Sequence, residues 1–108
     1  MSATRLDTDA LTTVLTDLNA SGQGGWSLSG GQLYKTFVFP DFVRAFGFMT
    51  QVALIAEAMN HHPDWSNAYA HVRVALSTHE AGGITKRDIE LARQMERLVA
   101  IAEMHAAQ

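Results

Sequence analysis

The chain has 108 residues, 47% apolar and 18% charged, with a formal net charge of -3 and no cysteine. That length supports one domain over residues 1-108, able to bury roughly 60–70% of its unfolded surface, and is too short for two. The acidic balance removes the general attraction to nucleic acid, and the lack of thiols excludes disulfides and thiolate chemistry, which points to the cytoplasm.

The opening Met1-Ser2-Ala3-Thr4-Arg5-Leu6-Asp7 has no apolar run of the kind a signal peptide needs. Asp7 is placed to cap a first helix, on which Leu11, Val14, Leu15 and Leu18 form one apolar stripe. Ser21-Gly22-Gln23-Gly24-Gly25 ends it. Trp26-Ser27-Leu28 predicts a short strand and Ser29-Gly30-Gly31-Gln32 a turn. From Leu33 to Phe39 the chain alternates, with Leu33, Lys35, Phe37 and Phe39 on one face and Tyr34, Thr36 and Val38 on the other. Bulk on both faces fits a strand covered by helices on one side and touched by a subunit on the other. It fits an ordinary central strand as well.

Pro40-Asp41 closes the strand and starts the main core helix. Phe42, Ala45, Phe46, Met49, Ala53 and Ala56 recur at helical spacing, widened by Phe48, Val52, Ile55 and Met59, and the phenylalanines read as core. Arg44, Gln51 and Glu57 make this stretch too polar for a membrane span. Beyond Pro63, Trp65 to Leu76 is β-rich, either one long strand or a hairpin bending near Ala70-His71. Gly82-Gly83 breaks the chain, and Thr85 with Asp88 makes a capping-box-like start. Ile89, Leu91, Ala92, Met95, Leu98, Val99 and Ala102 then follow as an amphipathic helix, with a frayed tail from His105 to Gln108. The order α-β-β-α-β(β)-α predicts an α+β two-layer domain, an antiparallel sheet with its helices gathered on one face.

Three of the five histidines fall in Asn60-His61-His62-Pro63-Asp64-Trp65 and Ser77-Thr78-His79-Glu80. Imidazole, with an ordinary pKa of about 6.5, both gives and takes protons near neutrality, so His61, His62 and His79 can supply acid and base around one bound molecule. Trp65 and the apolar helix wall can stack on a flat heterocycle. Glu57, one helical turn before His61, can orient an imidazole. Each has a plainer reading. The histidine pair can cap the carbonyls of a helix C-terminus, His79 can be a loop residue and Asp88 a simple cap, with His71 and His105 solvated. Three histidines can also hold zinc with a water, but no His-x-His or His-x3-His spacing sets two rings toward one point. No nucleophile elbow, GxGxxG or P-loop occurs.

The motif Glu57-x-x-x-His61-His62-Pro63-x-Trp65-x-Asn67-x-Tyr69-x-x-Val72, then Leu76-x-Thr78-His79 and Gly83-x-Thr85-x-x-Asp88-x-x-Leu91-Ala92, resembles pterin-4a-carbinolamine dehydratases. These are also known as dimerisation cofactors of a homeodomain transcription factor. Gly25-Trp26, Phe37-x-Phe39 and Phe42-x-x-Ala45-Phe46-x-Phe48-Met49 extend the likeness, which is strongest over residues 25-101. The resemblance implies a four-stranded antiparallel sheet with three helices on one face, α-β-β-α-β-β-α, with the hairpin at Ala70-His71. It implies dehydration of 4a-hydroxytetrahydrobiopterin to quinonoid dihydrobiopterin, in pterin recycling for phenylalanine hydroxylase and its relatives. No metal or organic cofactor is implied, and the assembly is a homodimer or homotetramer. His61, His62 and His79 fall on the catalytic histidines, with His61 and His79 expected to donate to the leaving hydroxyl and His62 to act as base or positioning group. Pterin contacts fall on Asn60, His61, His62, Trp65, Ser77, Thr78, His79 and Glu80, with Glu57 and Asp88 orienting imidazoles. Animal enzymes carry Asp where this chain has Asn60, so a charge role there is absent. The alternatives are a non-catalytic protein-binding or transcriptional-cofactor module, or a dehydratase for another pterin.

Overall fold

The computed structural model describes residues 4–106. Helix α1 spans Thr8–Ser21, β1 Ser27–Ser29, β2 Gln32–Val38, α2 Phe42–Met59, β3 Asp64–Ala68, β4 His71–Leu76 and α3 Lys86–Ala106, with one 3-10 turn at His79–Ala81. The caps are local and side-chain made. Asp7 Oδ1 accepts from the Ala10 amide at 2.8 Å and Asp41 Oδ1 from the Arg44 amide at 2.8 Å, each satisfying a first-turn N–H that has no partner inside its helix.

The strands form one antiparallel sheet in the order β1-β2-β4-β3. The stretch from Trp65 to Leu76 is a hairpin, and Tyr69 takes its corner at φ 53. The Asn67 side-chain amide donates to the carbonyls of Tyr69 and His71 at 3.1 and 2.9 Å, holding a left-handed turn that has no glycine. Alternation assigns the faces. Leu33, Phe37, Val72, Val74 and Leu76 are buried with Leu18, Ala45, Phe48, Val52, Ala56, Leu91, Ala92 and Met95 from the helices, while Tyr34 and Val38 on the far face are exposed. This is the two-layer α+β arrangement of three helices and four strands that the chain predicts.

Two sequence expectations fail on α2. Phe42 and Phe46 are not core: they are 46% and 56% exposed and lie against each other, ring centroids 5.8 Å apart. The helix is apolar around most of its circumference, but the sheet and α3 cover one side only, so the stripe Ala45-Phe48-Val52-Ala56 is buried and its neighbours are not. By length and composition alone α2 is also apolar enough to cross a membrane, against the expectation set by Arg44, Gln51 and Glu57; its buried stripe belongs to the domain core. At the other end of the chain α3 continues through Ala106, past the expected frayed start at His105; Ala107 and Gln108 lie outside the described residues.

Lys35 points into the core, as its place in the alternation requires. Its Nζ lies 2.6 Å from Glu96 Oε2, and 4.4 Å from the centre of the Phe37 ring. The same Glu96 oxygen accepts from Trp26 Nε1 at 3.1 Å, and Oε1 accepts from the Gln23 amide at 3.0 Å. A buried ion pair is tolerable only when the remaining lone pairs are filled in this way.

Candidate active site

Helix α2 ends by winding left-handed at Asn60, φ 52 and ψ 45, a conformation that asparagine tolerates better than most residues. The Asn60 amide donates to Glu57 O at 3.1 Å and the His61 amide to Ala56 O at 3.0 Å, crossing the exit and closing the last turn. Pro63 disfavours helix at His62, so the chain cannot resume its spiral. The Arg87 guanidinium, reaching from α3, donates to Met59 O at 3.3 Å and to Asn60 O at 2.5 Å. Backbone amides and an arginine therefore cap α2, and the histidine side chains are left for other work.

His61 is turned inward, 7% exposed, with Nε2 at 2.5 Å from Asp88 Oδ1. Asp88 is fully buried. Its Oδ2 accepts from Thr78 Oγ1 at 2.8 Å and from the Thr85 amide at 2.9 Å. The Thr78 hydroxyl proton is thus used, so in the 2.7 Å contact between the two threonines Thr85 Oγ1 donates to Thr78 Oγ1, and Thr85 Oγ1 in turn accepts from the Arg87 amide at 3.2 Å. With Asp88 acting as acceptor throughout, the proton of the histidine–aspartate bond sits on Nε2, and Nδ1 is the ring nitrogen left to exchange a proton. Asp88 is both a cap of α3 and the anchor of His61.

His62 points outward, 58% exposed, and pairs with Glu57, Nε2 to Oε1 2.7 Å. Glu57 therefore meets His62 and not His61. The left-handed residue at 60 breaks the helical phase on which the expected one-turn pairing rested. His79 opens the 3-10 turn and is exposed, one residue beyond buried Thr78. That loop is closed at its base, where the Thr78 amide donates to Gly83 O at 2.8 Å and the Gly83 amide to Thr78 O at 3.4 Å. Asn60, His61 and His62 thus stand on the α2 exit, and Ser77, Thr78, His79 and Glu80 on the β4 exit. Asp88 ties the two segments together through His61 and Thr78. Trp65 sits half-buried on β3 opposite Val74 and packs on the core.

Among the described residues, no three His, Asp or Glu side chains converge as a metal site requires. A cavity of 720 Å³ lies near the other end of α2, lined by Phe39, Arg44, Phe48, Leu98 and Glu103 among others, and none of its lining residues is a histidine. Its lining comes from the start of α2 and the end of α3; the histidines lie elsewhere, on the two exits that Asp88 ties together, His61 buried and His62 and His79 exposed. Arg87 is the residue the sequence reading missed. The available signal was two cations, Lys86 and Arg87, in the first turn of a helix, where the dipole disfavours positive charge.

The family model described as Pterin 4 alpha carbinolamine dehydratase matches residues 4–98. A protein of Rhizobium johnstonii named for pterin-4-alpha-carbinolamine dehydratase is 49% identical over 102 residues, covering 93% of this chain and 96% of its own. One of Mesorhizobium japonicum bearing the same name is 50% identical over 97 residues, 88% and 94% of the two chains. The crystal structure of a Brucella melitensis protein titled transcriptional coactivator/pterin dehydratase is similar with a TM-score of 0.77 and 43% identity, over 84% of this chain and 94% of that one.

Proposed function

The chain belongs to the pterin-4a-carbinolamine dehydratase family, and from that premise we propose that it removes water from 4a-hydroxytetrahydrobiopterin, giving quinonoid dihydrobiopterin, by acid-base catalysis at His61, His62 and His79. The observation that carries the reading is the shared carboxylate. Asp88 accepts from His61 and from Thr78, the residue before His79, so one buried group fixes both histidine-bearing segments.

The reaction breaks the C4a–O bond and forms a C4a=N5 double bond. The hydroxyl leaves with a proton from an acid, and N5 gives its proton to a base, so the protons balance. In this reading His61, through Nδ1, and His79 serve the leaving hydroxyl. His62 takes the N5 proton. Glu57, 2.7 Å from the far nitrogen of His62, stabilises the imidazolium that forms there. Asn60, Ser77, Thr78 and Glu80 border the pterin and Trp65 supports the pocket wall. The reading includes no resident metal or organic cofactor. It places the enzyme in the cytoplasm, in pterin recycling beside aromatic amino acid hydroxylases, phenylalanine hydroxylase above all. It also includes assembly into two or four copies, which would cover the exposed Phe42, Val43, Phe46 and Leu54 of α2.

The test follows the decay of 4a-hydroxytetrahydropterin in a coupled assay with wild type, His61→Ala and His79→Ala. Wild type should exceed the uncatalysed rate, and each variant should lose about 100-fold or more, the usual contribution of a positioned proton donor. A wild type no faster than the spontaneous reaction would overturn the activity, and unchanged variants the histidine mechanism. Metal analysis of the purified protein checks the cofactor reading, with stoichiometric zinc as the contrary result. Light scattering reads the assembly.

A further inference from the structure

Two neighbouring residues at the start of α3 grip the α2 exit by different means. Asp88 holds the His61 ring, and Arg87 holds the backbone immediately before it, at Asn60 O and Met59 O. The two grips are joined, since the Arg87 amide donates to Thr85 Oγ1 and the Thr85 amide donates to Asp88 Oδ2. Without Arg87 these two carbonyls at the end of α2 have no partner among the described residues, because the crossing amides of Asn60 and His61 go to Glu57 and Ala56. The Asn60 corner is a left-handed residue with a β-carbon, a conformation held in place by the contacts around it.

We infer that Arg87 is a positioning residue for the His61-His62 pair: by clamping the Asn60 carbonyl it fixes the left-handed corner that sends His61 inward to Asp88 and His62 outward to Glu57. The inference rests on the proposed dehydratase reading for its catalytic consequence. Its structural content does not depend on that reading. A guanidinium suits the task because its fork offers several donors in fixed geometry and reaches two successive carbonyls with one nitrogen. Release of the corner would let both rings drift together. Misplacement of catalytic groups by about 1 Å can cost about 100-fold in rate.

The experiment compares wild type with Arg87→Met, Arg87→Lys and Lys86→Met. Lys86 is exposed in the same helical turn, so Lys86→Met removes an equal charge without touching the corner. Arg87→Met should lower kcat roughly 10- to 100-fold with KM within about threefold. Arg87→Lys, able to offer one bond, should recover part of that loss, and Lys86→Met should match wild type. Independently of activity, the His61 ring protons in a ¹H–¹³C correlation spectrum should be single and sharp in wild type and broadened or doubled in Arg87→Met. An inactive wild type that shows this spectral change would sink the dehydratase reading and keep the positioning role. An active wild type with unaltered kcat and His61 signals in Arg87→Met would overturn the positioning role alone, as would an equal loss in Lys86→Met. If Arg87→Met does not fold, Arg87→Lys carries the test, with a kcat and spectrum identical to wild type as the contrary result.

Discussion

Helix α3 carries two buried carboxylates, and they behave differently. Asp88, at its start, accepts from an imidazole, a threonine hydroxyl and a backbone amide. Glu96, in its middle, accepts from a lysine ammonium, an indole N–H and a backbone amide. Both are saturated with donors, as burial of a charge demands. The difference lies in the donors. Lysine ends at its ammonium, which here is enclosed beside the rings of Phe37 and Trp26, so nothing remains to meet a ligand. An imidazole held by one nitrogen still has the other, and His61 stands at a chain exit. One device thus makes a staple in the core and, at its edge, a histidine with a ring nitrogen to spare.

Breaking each node in turn sharpens that contrast. Asp88→Asn should have the largest effect. One face of the amide must donate, so it clashes with a donor on one side or forces His61 into its other tautomer; kcat should fall about 100-fold or more in the pterin assay. Glu96→Ala leaves the Lys35 ammonium buried and unpaired. Its unfolding free energy should drop by about 3–5 kcal/mol in urea titration, with kcat of the folded protein unchanged; a comparable loss of kcat would mean that the two nodes are coupled. Thr78→Val removes one donor from Asp88 and the acceptor of the Thr85 hydroxyl. About 1–3 kcal/mol of stability should go with it, along with part of the activity, since the loop bearing His79 loses its tie. Phe46→Ser, outside both nodes, should alter monomer stability by less than about 0.5 kcal/mol while shifting the light-scattering mass toward smaller species.

Much of the fold is legible in the sequence because its signals are short in range. Asp7 and Asp41 cap the helices they precede, and the alternation from Leu33 to Val38 gives the faces of β2. The histidine pair marks the α2 exit, and Asn60 supplies its left-handed turn within one residue. The choice between one strand and a hairpin from Trp65 to Leu76 was not legible from residue pattern alone, because the corner at Tyr69 and Ala70 contains neither glycine nor proline. The resemblance of the histidine motif to a known family supplied it.

The sequence by itself determined the three helices and the first two strands, the Asp7 and Asp41 caps, the faces of β2 and the three histidines as the groups able to move protons. Only the tertiary structure decided which acid meets which base. Glu57 goes to His62, five residues on, because a left-handed corner resets the helical phase; Asp88 goes to His61, 27 residues back; Glu96 goes to Lys35, 61 residues back. The tertiary structure also decided that Ala45, Phe48, Val52 and Ala56 face the core while Phe42 and Phe46 do not. Caps and alternation are settled by neighbours within a turn or two of chain. The pairing of buried charges and the choice among apolar stripes depend on which surfaces meet when the sheet and α3 close on α2.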